Sequence, residues 1–409
     1  DYGPAEFNAR AGATVIGVRP FLIAYNINLN TRNAKIAKDI GLTMREKGRA
    51  KRDAEGKRVR DADNKLVRVP GLPNCRAMGW YIEEYKRAQV TMNLTDYTVT
   101  GMHTAFEKVE ELAQAHGARV TGSEAVGLVP KKALLDVGRH FMRKQGMSLG
   151  VPEREILEAA VLSLGLDEVA PFVLEEKVIE YRVAQERPLI SMTVDAFADE
   201  LSSDSPAPGG GSVAALSGGL GAGLVSMVAG LTYGKKGYTD KNELMEELGV
   251  EAQELKAKLL AAIDDDTESF NQVMACFGLP RKTDEEKAAR DAAIQAANKN
   301  ATLIPLSVLE LCPRLLELAS EVADKGNQNS LSDAGVAGLM ARAGAYGAFY
   351  NVMINLQGIE DKAWCAKISE QAEEVLLNVD KAGHRIQQAV LTKLREGADL
   401  DAARNKLMK

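Results

Sequence analysis

The sequence predicts an α+β N-terminal region followed by an all-α helical bundle. In residues 1–181, strand-like runs of β-branched and aromatic residues alternate with runs of helical apolar spacing. From residue 192 onwards that alternation disappears, and long segments with apolar residues three or four positions apart replace it. Residues 182–191 show neither pattern and contain a proline. The predicted domains are therefore 1–181 and 192–409, joined by a linker at 182–191.

The N-terminal elements are predicted in the order strand, helix, strand, strand, helix, strand. This order is typical of a ferredoxin-like fold, in which helices cover one face of a sheet that contains antiparallel strands. The predicted strands are 14–28, 76–84, 88–96 and 118–128, and the helices among them are 31–47 and 104–116. Two more helices are predicted at 130–143 and 153–164.

The C-terminal region is predicted to consist of helices alone. Acidic residues 284–286 are typical of a helix start, Gly326 follows a predicted helix end, and Gly358 separates two predicted helices. The predicted helices are 193–202, 212–233, 240–278, 284–323, 331–356 and 360–396.

One uncharged stretch, residues 213–231, has nearly the length of a membrane span. Gly, Ala and Ser fill more than half of it, so that its summed hydrophobicity is weak, and no aromatic belt flanks both ends. We therefore expect a helix buried on all sides within the bundle and no membrane span.

Composition narrows the classes of partner. The chain has 51 Lys and Arg against 57 Asp and Glu, a formal net charge of -6, which disfavours a general binder of nucleic acid or anionic membranes. Its four cysteines form no CxxC pair and its four histidines no HExxH motif, so we expect neither a metal site nor a disulfide framework. We expect small-molecule substrates and a cytoplasmic location. We also expect that the chain has no signal peptide and is a fragment or a processed product.

A charge-dense insert lies between residues 45 and 68. It holds ten Lys or Arg and five Asp or Glu. Such a run is typical of a solvated loop or hairpin tip, and its alternative role is a cationic surface that attracts a polyanionic substrate tail.

The first candidate site is the run Pro-Ala-Pro-Gly-Gly-Gly-Ser at residues 206–212. Glycines allow the backbone to approach a ligand closely, and a helix start offers free amides and partial positive charge to a carboxylate or phosphate. The run lacks the spacing of a phosphate-binding P-loop and of a dinucleotide fingerprint. A flexible linker with a serine cap is the alternative interpretation.

The second candidate is Asp266, within the acidic run at residues 264–268. It shares a helix face with apolar Ile263 and Phe270, which favours a partly buried carboxylate with a raised pKa, suited to proton transfer near neutral pH. We expect Asp264 and Asp265 to face water.

A third group of polar residues lies on the predicted helix 331–356. Ser332 or Asp333 can cap its N-terminus. Asn351 and Asn355 lie one turn apart among apolar residues, so each needs a hydrogen-bond partner from another helix or from a ligand.

Taken together, the motifs resemble those of the formimidoyltransferase-cyclodeaminase family, in order and over nearly the whole chain. The motifs are Gly3-Pro4 with Gly12-Ala13, FLIAYNINL (21–29), GWYIEEY (79–85), QVTMNLTDY (89–97), GLVP (127–130), SPAPGGGSVAA (205–215) and NVMINL (351–356).

The resemblance implies a bifunctional folate enzyme of histidine degradation. Such an enzyme moves a formimino group from N-formimino-L-glutamate to tetrahydrofolate, and then closes 5-formimidoyltetrahydrofolate to 5,10-methenyltetrahydrofolate with release of ammonia. It also implies polyglutamylated folate as co-substrate, no metal, and a homo-oligomer built as a ring of dimers. The alternatives are a methenyltetrahydrofolate cyclohydrolase on the same scaffold and a non-catalytic folate-binding or assembly module.

Applied residue by residue, the resemblance implies Asp266 as the catalytic carboxylate of a cyclodeaminase domain at 192–409. It implies that residues 1–181 are the C-terminal formiminotransferase subdomain, and that the N-terminal subdomain, which carries that reaction's catalytic histidine, is absent from this chain. His103 then has a structural role. The folate-binding residues are expected to be Gly3, Pro4, Ala5, Glu6, Phe7, Asn8, Ala9, Arg10, Ala11 and Gly12 from the resemblance, and Gly209, Gly210, Gly211 and Ser212 from their chemistry.

Overall fold

The structure, a computed structural model, describes residues 6, 9, 10, 12, 14, 16–184 and 186–397. Its contacts divide the chain into two compact units. Unit 1 comprises Asp1–Gln145 and Arg154–Ala184, and unit 2 comprises Gly146–Glu153 and Gln185–Lys409. Residues 146–153 thus group with unit 2, whereas the sequence-based domain limits, which stay a prediction, place them in the first domain.

Unit 1 contains a four-stranded antiparallel sheet in the order β4-β5-β1-β6. The chain order strand, helix, two strands, helix, strand is confirmed, apart from a small two-stranded ribbon, β2-β3, inserted after the first helix. The elements are β1 (Ile23–Leu29), α1 (Ala34–Met44), β2 (Arg49–Ala50), β3 (Arg68–Val69), β4 (Cys75–Ile82), β5 (Arg87–Leu94), α2 (Met102–Ala115) and β6 (Val120–Val126).

The prediction that the first strand begins at residue 14 was wrong, because β1 begins at Ile23. Ile23 pairs with Leu94, the last residue of β5, and Ala24 pairs with Val126, the last residue of β6. Before Ile23 neither neighbouring strand offers a ladder partner. The exposed side chains of Ile16 and Val18 are consistent with this limit.

Helices α1 and α2 cover one face of the sheet. The alternate residues of β1 on that face are fully buried, among them Ile27 and Leu29. Helix α1 approaches β4 so closely that a Cβ atom at Gly79 would lie 2.0 Å from the carbonyl carbon of Ala37. Unit 1 continues with α3 (Lys131–Lys144), α4 (Glu153–Leu164) and two short helices, α5 (Leu174–Lys177) and α6 (Ile179–Arg182).

The charge-dense insert forms an exposed ribbon, as the hairpin prediction required. It contains two similar turns, eight residues apart, in which an aspartate side chain accepts the backbone N–H of the lysine four residues later. In each turn an arginine also donates to a backbone carbonyl four residues on. The repeated sequences are KRDAEGKR (51–58) and VRDADNKL (59–66).

Unit 2 is a bundle of long helices, and all six predicted helices are confirmed. They are α7 (Val194–Leu201), α8 (Gly210–Thr232), α9 (Asn242–Phe277), α10 (Asp284–Lys325), α11 (Leu331–Leu356) and α12 (Lys362–Gly397). Thr283 and Glu286 form a reciprocal capping box at the start of α10, and Gly326 follows its last residue.

Helix α8 packs against α9, α10 and α11. Among the described residues it is the one helix whose length and hydropathy would suffice to cross a membrane, and 56% of its apolar window is buried inside the bundle. The small residues permit close approach: a Cβ atom at Gly344 of α11 would lie 2.8 Å from the Ala214 carbonyl oxygen. The expectation that α8 is buried on all sides was wrong: Ala222 and Val225 are fully buried, whereas Leu220 and Leu231 are exposed.

Candidate active site

Three helices of unit 2 converge at the N-terminal end of α8. The helix begins at Gly210, with Gly209 as its extended N-cap residue. The carboxylate of Asp266, on α9, lies against this first turn. The amide of Asn351, on α11, lies beside Gly210, 3.3 Å from where a Cβ atom there would be. The fold therefore brings together residues 209–212, Asp266 and Asn351.

Ser212 is the residue that contacts the Asp266 carboxylate most extensively. Its Oγ atom lies 3.2 Å from Asp266 Oδ2, and its backbone N–H donates to the same carboxylate. The Ser212 hydroxyl also lies 2.9 Å from the carbonyl oxygen of Ile263. Ser212 is fully buried, so these groups replace water as its hydrogen-bond partners.

Burial raises the pKa of the Asp266 carboxyl above its ordinary value, and the hydrogen bonds from Ser212 oppose that rise. Burial is the larger effect. The prediction of a partly buried carboxylate with a raised pKa is confirmed, whereas its catalytic role stays a prediction. A raised pKa brings the proton equilibrium of this carboxyl closer to neutral pH.

Gly211 is required by the position of Asp266. A Cβ atom on Gly211 would lie 2.2 Å from Asp266 Oδ1, well inside van der Waals contact. At Gly209, by contrast, a Cβ atom would meet nothing within 4 Å. The glycine run thus has two parts: Gly211 makes room for an internal carboxylate, and Gly209 borders open space.

The expectation that Asp264 faces water was wrong. Its two carboxylate oxygens accept the backbone N–H groups of Leu189 and Ile190, at 2.9 and 3.2 Å. Asp264 therefore fixes the segment that leads into α7. Asp265 is exposed as expected and lies 3.8 Å from Arg187.

The two asparagines of α11 have protein partners. Asn355 donates to the carbonyl oxygen of Ala301 on α10, and Asn351 donates to the carbonyl oxygen of Gly347 one turn earlier. The capping role expected of Ser332 or Asp333 was wrong, because α11 already begins at Leu331 after a 3-10 turn. Asp333 lies 18 residues before Asn351, about 27 Å along the helix, and so lies outside this site.

Both units match known protein families. Residues 193–374 match the Formiminotransferase-cyclodeaminase family and residues 24–184 match the Formiminotransferase domain. The formimidoyltransferase-cyclodeaminase of Sus scrofa is 38% identical over 379 residues, which cover 92% of this chain and 67% of that protein. That of Gallus gallus is 36% identical and is covered to 70% of its length. The chain belongs to the formimidoyltransferase-cyclodeaminase family.

Two further relatives match about half of this formimidoyltransferase-cyclodeaminase chain. A methenyltetrahydrofolate cyclohydrolase of Methylorubrum extorquens is 44% identical over 202 residues, 49% of this chain and 97% of that protein. The crystal structure of a formiminotetrahydrofolate cyclodeaminase from Thermotoga maritima is 29% identical, covers 50% of this chain and 98% of its own, and superposes with a TM-score of 0.45.

In this family member, the folate-binding segment expected at residues 3–12 is described at four positions. Glu6, Ala9, Arg10 and Gly12 are exposed. The remaining expected residues, Gly3, Pro4, Ala5, Phe7, Asn8 and Ala11, lie outside the described residues. The role of the segment stays a prediction.

His103 lies in the formiminotransferase domain, stacked on His140 with their ring centroids 4.5 Å apart. Burial, and secondarily the neighbouring His140, lowers the pKa of His103. Across the described part of the chain, no group of three or more His, Cys, Asp or Glu side chains could hold a metal ion.

The sheet face away from α1 and α2 carries a polar network that the sequence analysis missed. Asn28, fully buried, donates to Glu168 and accepts from Gln89, both at 2.9 Å. Glu168 also binds Arg87. Alternation of amides with apolar residues in the strand motifs IAYNINL and RAQVTMNL was the signal, because it puts the amides of adjacent strands on one face.

Proposed function

We propose that unit 2 is a working formimidoyltetrahydrofolate cyclodeaminase, an ammonia lyase, with Asp266 as its acid–base residue. The observation that carries the proposal is a carboxylate with a raised pKa, held on the first turn of α8 in the region that matches a cyclodeaminase. The site supplies the one group that cyclisation requires, a base whose conjugate acid then becomes the proton donor.

The reaction proceeds in two proton transfers. N10 of 5-formimidoyltetrahydrofolate attacks the carbon of the formimino group, which reacts in its protonated form (C=NH2+), a C–N bond forms, and the N10 proton passes to the Asp266 carboxylate. The protonated Asp266 then returns the proton to the former imino nitrogen. The bond between carbon and that nitrogen breaks, ammonia leaves, and 5,10-methenyltetrahydrofolate remains. Because the proton is taken first, the resting enzyme must hold Asp266 ionised, and activity rises with pH through the Asp266 pKa.

The glycine run is proposed to orient the folate substrate. The backbone N–H groups of Gly210 and Gly211 lie in the first turn, where no carbonyl of their own helix can accept them. A carboxylate or carbonyl oxygen of folate is a suitable acceptor there. Gly209 borders open space through which folate could reach these amides. Ser212 is proposed to act on the reaction through its hydrogen bond to Asp266.

For unit 1 we propose the formiminotransferase half of a bifunctional folate enzyme in histidine degradation. It would contribute the C-terminal subdomain to transfer of the formimino group from N-formimino-L-glutamate to tetrahydrofolate, with residues 3–12 as part of the folate site and the catalytic histidine supplied by an N-terminal subdomain. The match of residues 24–184 to a formiminotransferase domain supports this assignment. We also propose polyglutamylated folate as the form used and the cytoplasm as the location.

A homo-oligomer, such as a ring of dimers, is proposed from the exposed surface of unit 2. The neighbouring helices α8 and α11 are apolar around most of their circumference, which is typical of helices covered on every side. Yet both expose apolar stripes, which include Leu220, Leu231, Leu339 and Ile354. A second copy of the chain would cover these stripes.

The second candidate function is methenyltetrahydrofolate cyclohydrolase. The 44% identity to a cyclohydrolase over 97% of that protein's length is the observation that favours it. That reaction opens the methenyl ring with water and releases no ammonia, so the product distinguishes the two functions.

The test is a stopped-flow assay of 5-formimidoyltetrahydrofolate with absorbance for the methenyl product and ammonia measured in parallel. We expect stoichiometric ammonia from the chain as given, and a loss of about 10²- to 10⁴-fold in kcat for Asp266→Asn. Asp265→Asn, an exposed neighbour, is the matched control and should retain activity. Ammonia release by Asp266→Asn at the rate of the unsubstituted protein would refute the assignment of the site. Hydrolysis of the methenyl ring without ammonia release would establish the cyclohydrolase.

A further inference from the structure

We propose that Ser212 is a positioning residue whose hydroxyl reverses its hydrogen bond when Asp266 gains or loses its proton. The proposal rests on the proposed function, since it concerns the same carboxylate. It assigns to Ser212 a role in catalysis through Asp266 in place of direct folate binding.

The geometry gives the Ser212 hydroxyl a choice of acceptors. It has one proton to donate, while three acceptors lie within reach: Asp266 Oδ2 at 3.2 Å, the Ile263 carbonyl oxygen at 2.9 Å and the Thr267 hydroxyl oxygen at 3.3 Å. It therefore donates to only one of them at a time, and its oxygen remains free to accept a bond from a protonated neighbour.

Each protonation state of Asp266 selects one arrangement. When Asp266 is ionised, the hydroxyl donates to Oδ2 and stabilises the anion. When Asp266 is protonated, its own O–H donates to Ser212 Oγ, and the serine proton turns to the Ile263 carbonyl. Neither state leaves the buried hydroxyl or the carboxyl oxygen without a partner, which matters because an unpaired polar group in a buried site is destabilising. A residue that takes a proton and then returns it benefits from equal support in both states.

The ionisable residues on the helices around Asp266 do not take the place of Ser212 as its hydrogen-bond partner. Helix α8 has no titratable residue, and the two charged residues of α11, Asp333 and Arg342, lie at least nine residues before Asn351. On α9 the neighbours Asp264, Asp265 and Glu268 are ionisable, but Asp264 binds backbone amides and the other two are exposed. Among the described residues, Ser212 supplies the hydrogen bonds that change the pKa of Asp266.

The experiment compares Ser212→Ala with Ser226→Ala. Ser226 is a buried serine of the same helix whose hydroxyl also donates to a backbone carbonyl, that of Gly150, at a distance from Asp266. The two variants therefore lose a similar buried hydrogen bond. Only the first should raise the Asp266 pKa, measured by ¹³C NMR titration of protein labelled at aspartate carboxyls, with Asp266→Asn to identify the resonance.

In the ammonia-release assay, Ser212→Ala should lower kcat by about tenfold to a hundredfold with little change in KM, the loss typical of one hydrogen bond to a charged group. The acidic limb of its kcat profile should move to higher pH, because the anion loses a donor. Ser212→Thr, which keeps the hydroxyl, should restore both.

Two outcomes would overturn the proposal: an Asp266 titration that is the same in Ser212→Ala as in the unsubstituted protein, or a loss of activity confined to KM. The NMR titration needs no turnover, so it tests the coupling of Ser212 to Asp266 even where Asp266→Asn proves fully active and the proposed function fails.

Discussion

The two units bury polar groups in contrasting ways. In unit 1 the fully buried members of the network, Asn28 and Gln89, are neutral amides that bind each other, and the Glu168 carboxylate beside them is paired with Arg87. In unit 2 the Asp266 carboxylate is partly buried against a helix start. Amides keep one protonation state and contribute rigidity, whereas a buried carboxylate retains a proton equilibrium. The contrast teaches that burial produces a reactive group only where the buried side chain can titrate.

The largest effect is expected at the closest contact in unit 1. Gly79→Ala places a methyl group 2.0 Å from the Ala37 carbonyl carbon, in backbone that cannot move aside without separating α1 from β4. We expect the free energy of unfolding to fall by about 3 kcal/mol or more and the sheet to unfold. Urea denaturation followed by tryptophan fluorescence measures this change.

Gly17→Ala is the control, because a Cβ atom there meets nothing within 4 Å. Equal denaturation midpoints for the two variants would show that the close contact in unit 1 carries no stability.

The next largest effect is expected in unit 2, where the activity should depend on the close fit between Gly211 and the Asp266 carboxylate. Gly211→Ala would push Asp266 away from the first turn of α8, so ammonia release should fall by about a hundredfold. Gly223→Ala adds the same methyl group to the same helix, 3.9 Å from the nearest side-chain atom, and should remain active. Full activity in Gly211→Ala would contradict the placement of Asp266.

A smaller effect is expected within the amide network. Asn28→Ala leaves Glu168 and Gln89 each without one buried partner, and should destabilise unit 1 by about 1–3 kcal/mol. Asn93→Ala, an exposed position on β5, should cost less than about 0.5 kcal/mol. Thermal unfolding of the two variants side by side measures the difference, and equal costs would mean that the network adds nothing.

The smallest expected effect is an increase in stability, on substitution of Asp266. A carboxyl whose folded pKa is raised stabilises the fold only when protonated, and that contribution is lost as pH rises from the unfolded pKa through the folded pKa. At neutral pH the ionised Asp266 therefore costs stability. Asp266→Asn should raise the melting temperature by a few degrees at pH 7 and by less at pH 4. A lower melting temperature at pH 7 would show that burial does not penalise this carboxylate.

The helices were predictable because their apolar spacing is local. All six helices of unit 2 are confirmed, and the capping box at Thr283 agrees with the acidic start predicted for α10. The N-terminal limit of β1 was not predictable, because it depends on where the partner strands end.

The site was predictable in part. The apolar neighbours of Asp266 indicated its burial, since they lie on the same helix. Its contact with Ser212, 54 residues earlier in the chain, depends on how α8 packs against α9 and has no local signal. The same holds for Asp264, whose partners at Leu189 and Ile190 belong to a distant loop segment.

The charged ribbon of unit 1 has a modular construction. Each eight-residue copy closes its own turn with its own aspartate and arginine, and residues Gly56 and Asn64 occupy the same left-handed position in the two copies. The copies are also joined by backbone hydrogen bonds, from the N–H of Val59 to the carbonyl of Lys51 and from the N–H of Val67 to the carbonyl of Val59. Because the N–H of Lys51 donates to the carbonyl of Val67, the three residues close a ring of hydrogen bonds, and deletion of one repeat would break that ring.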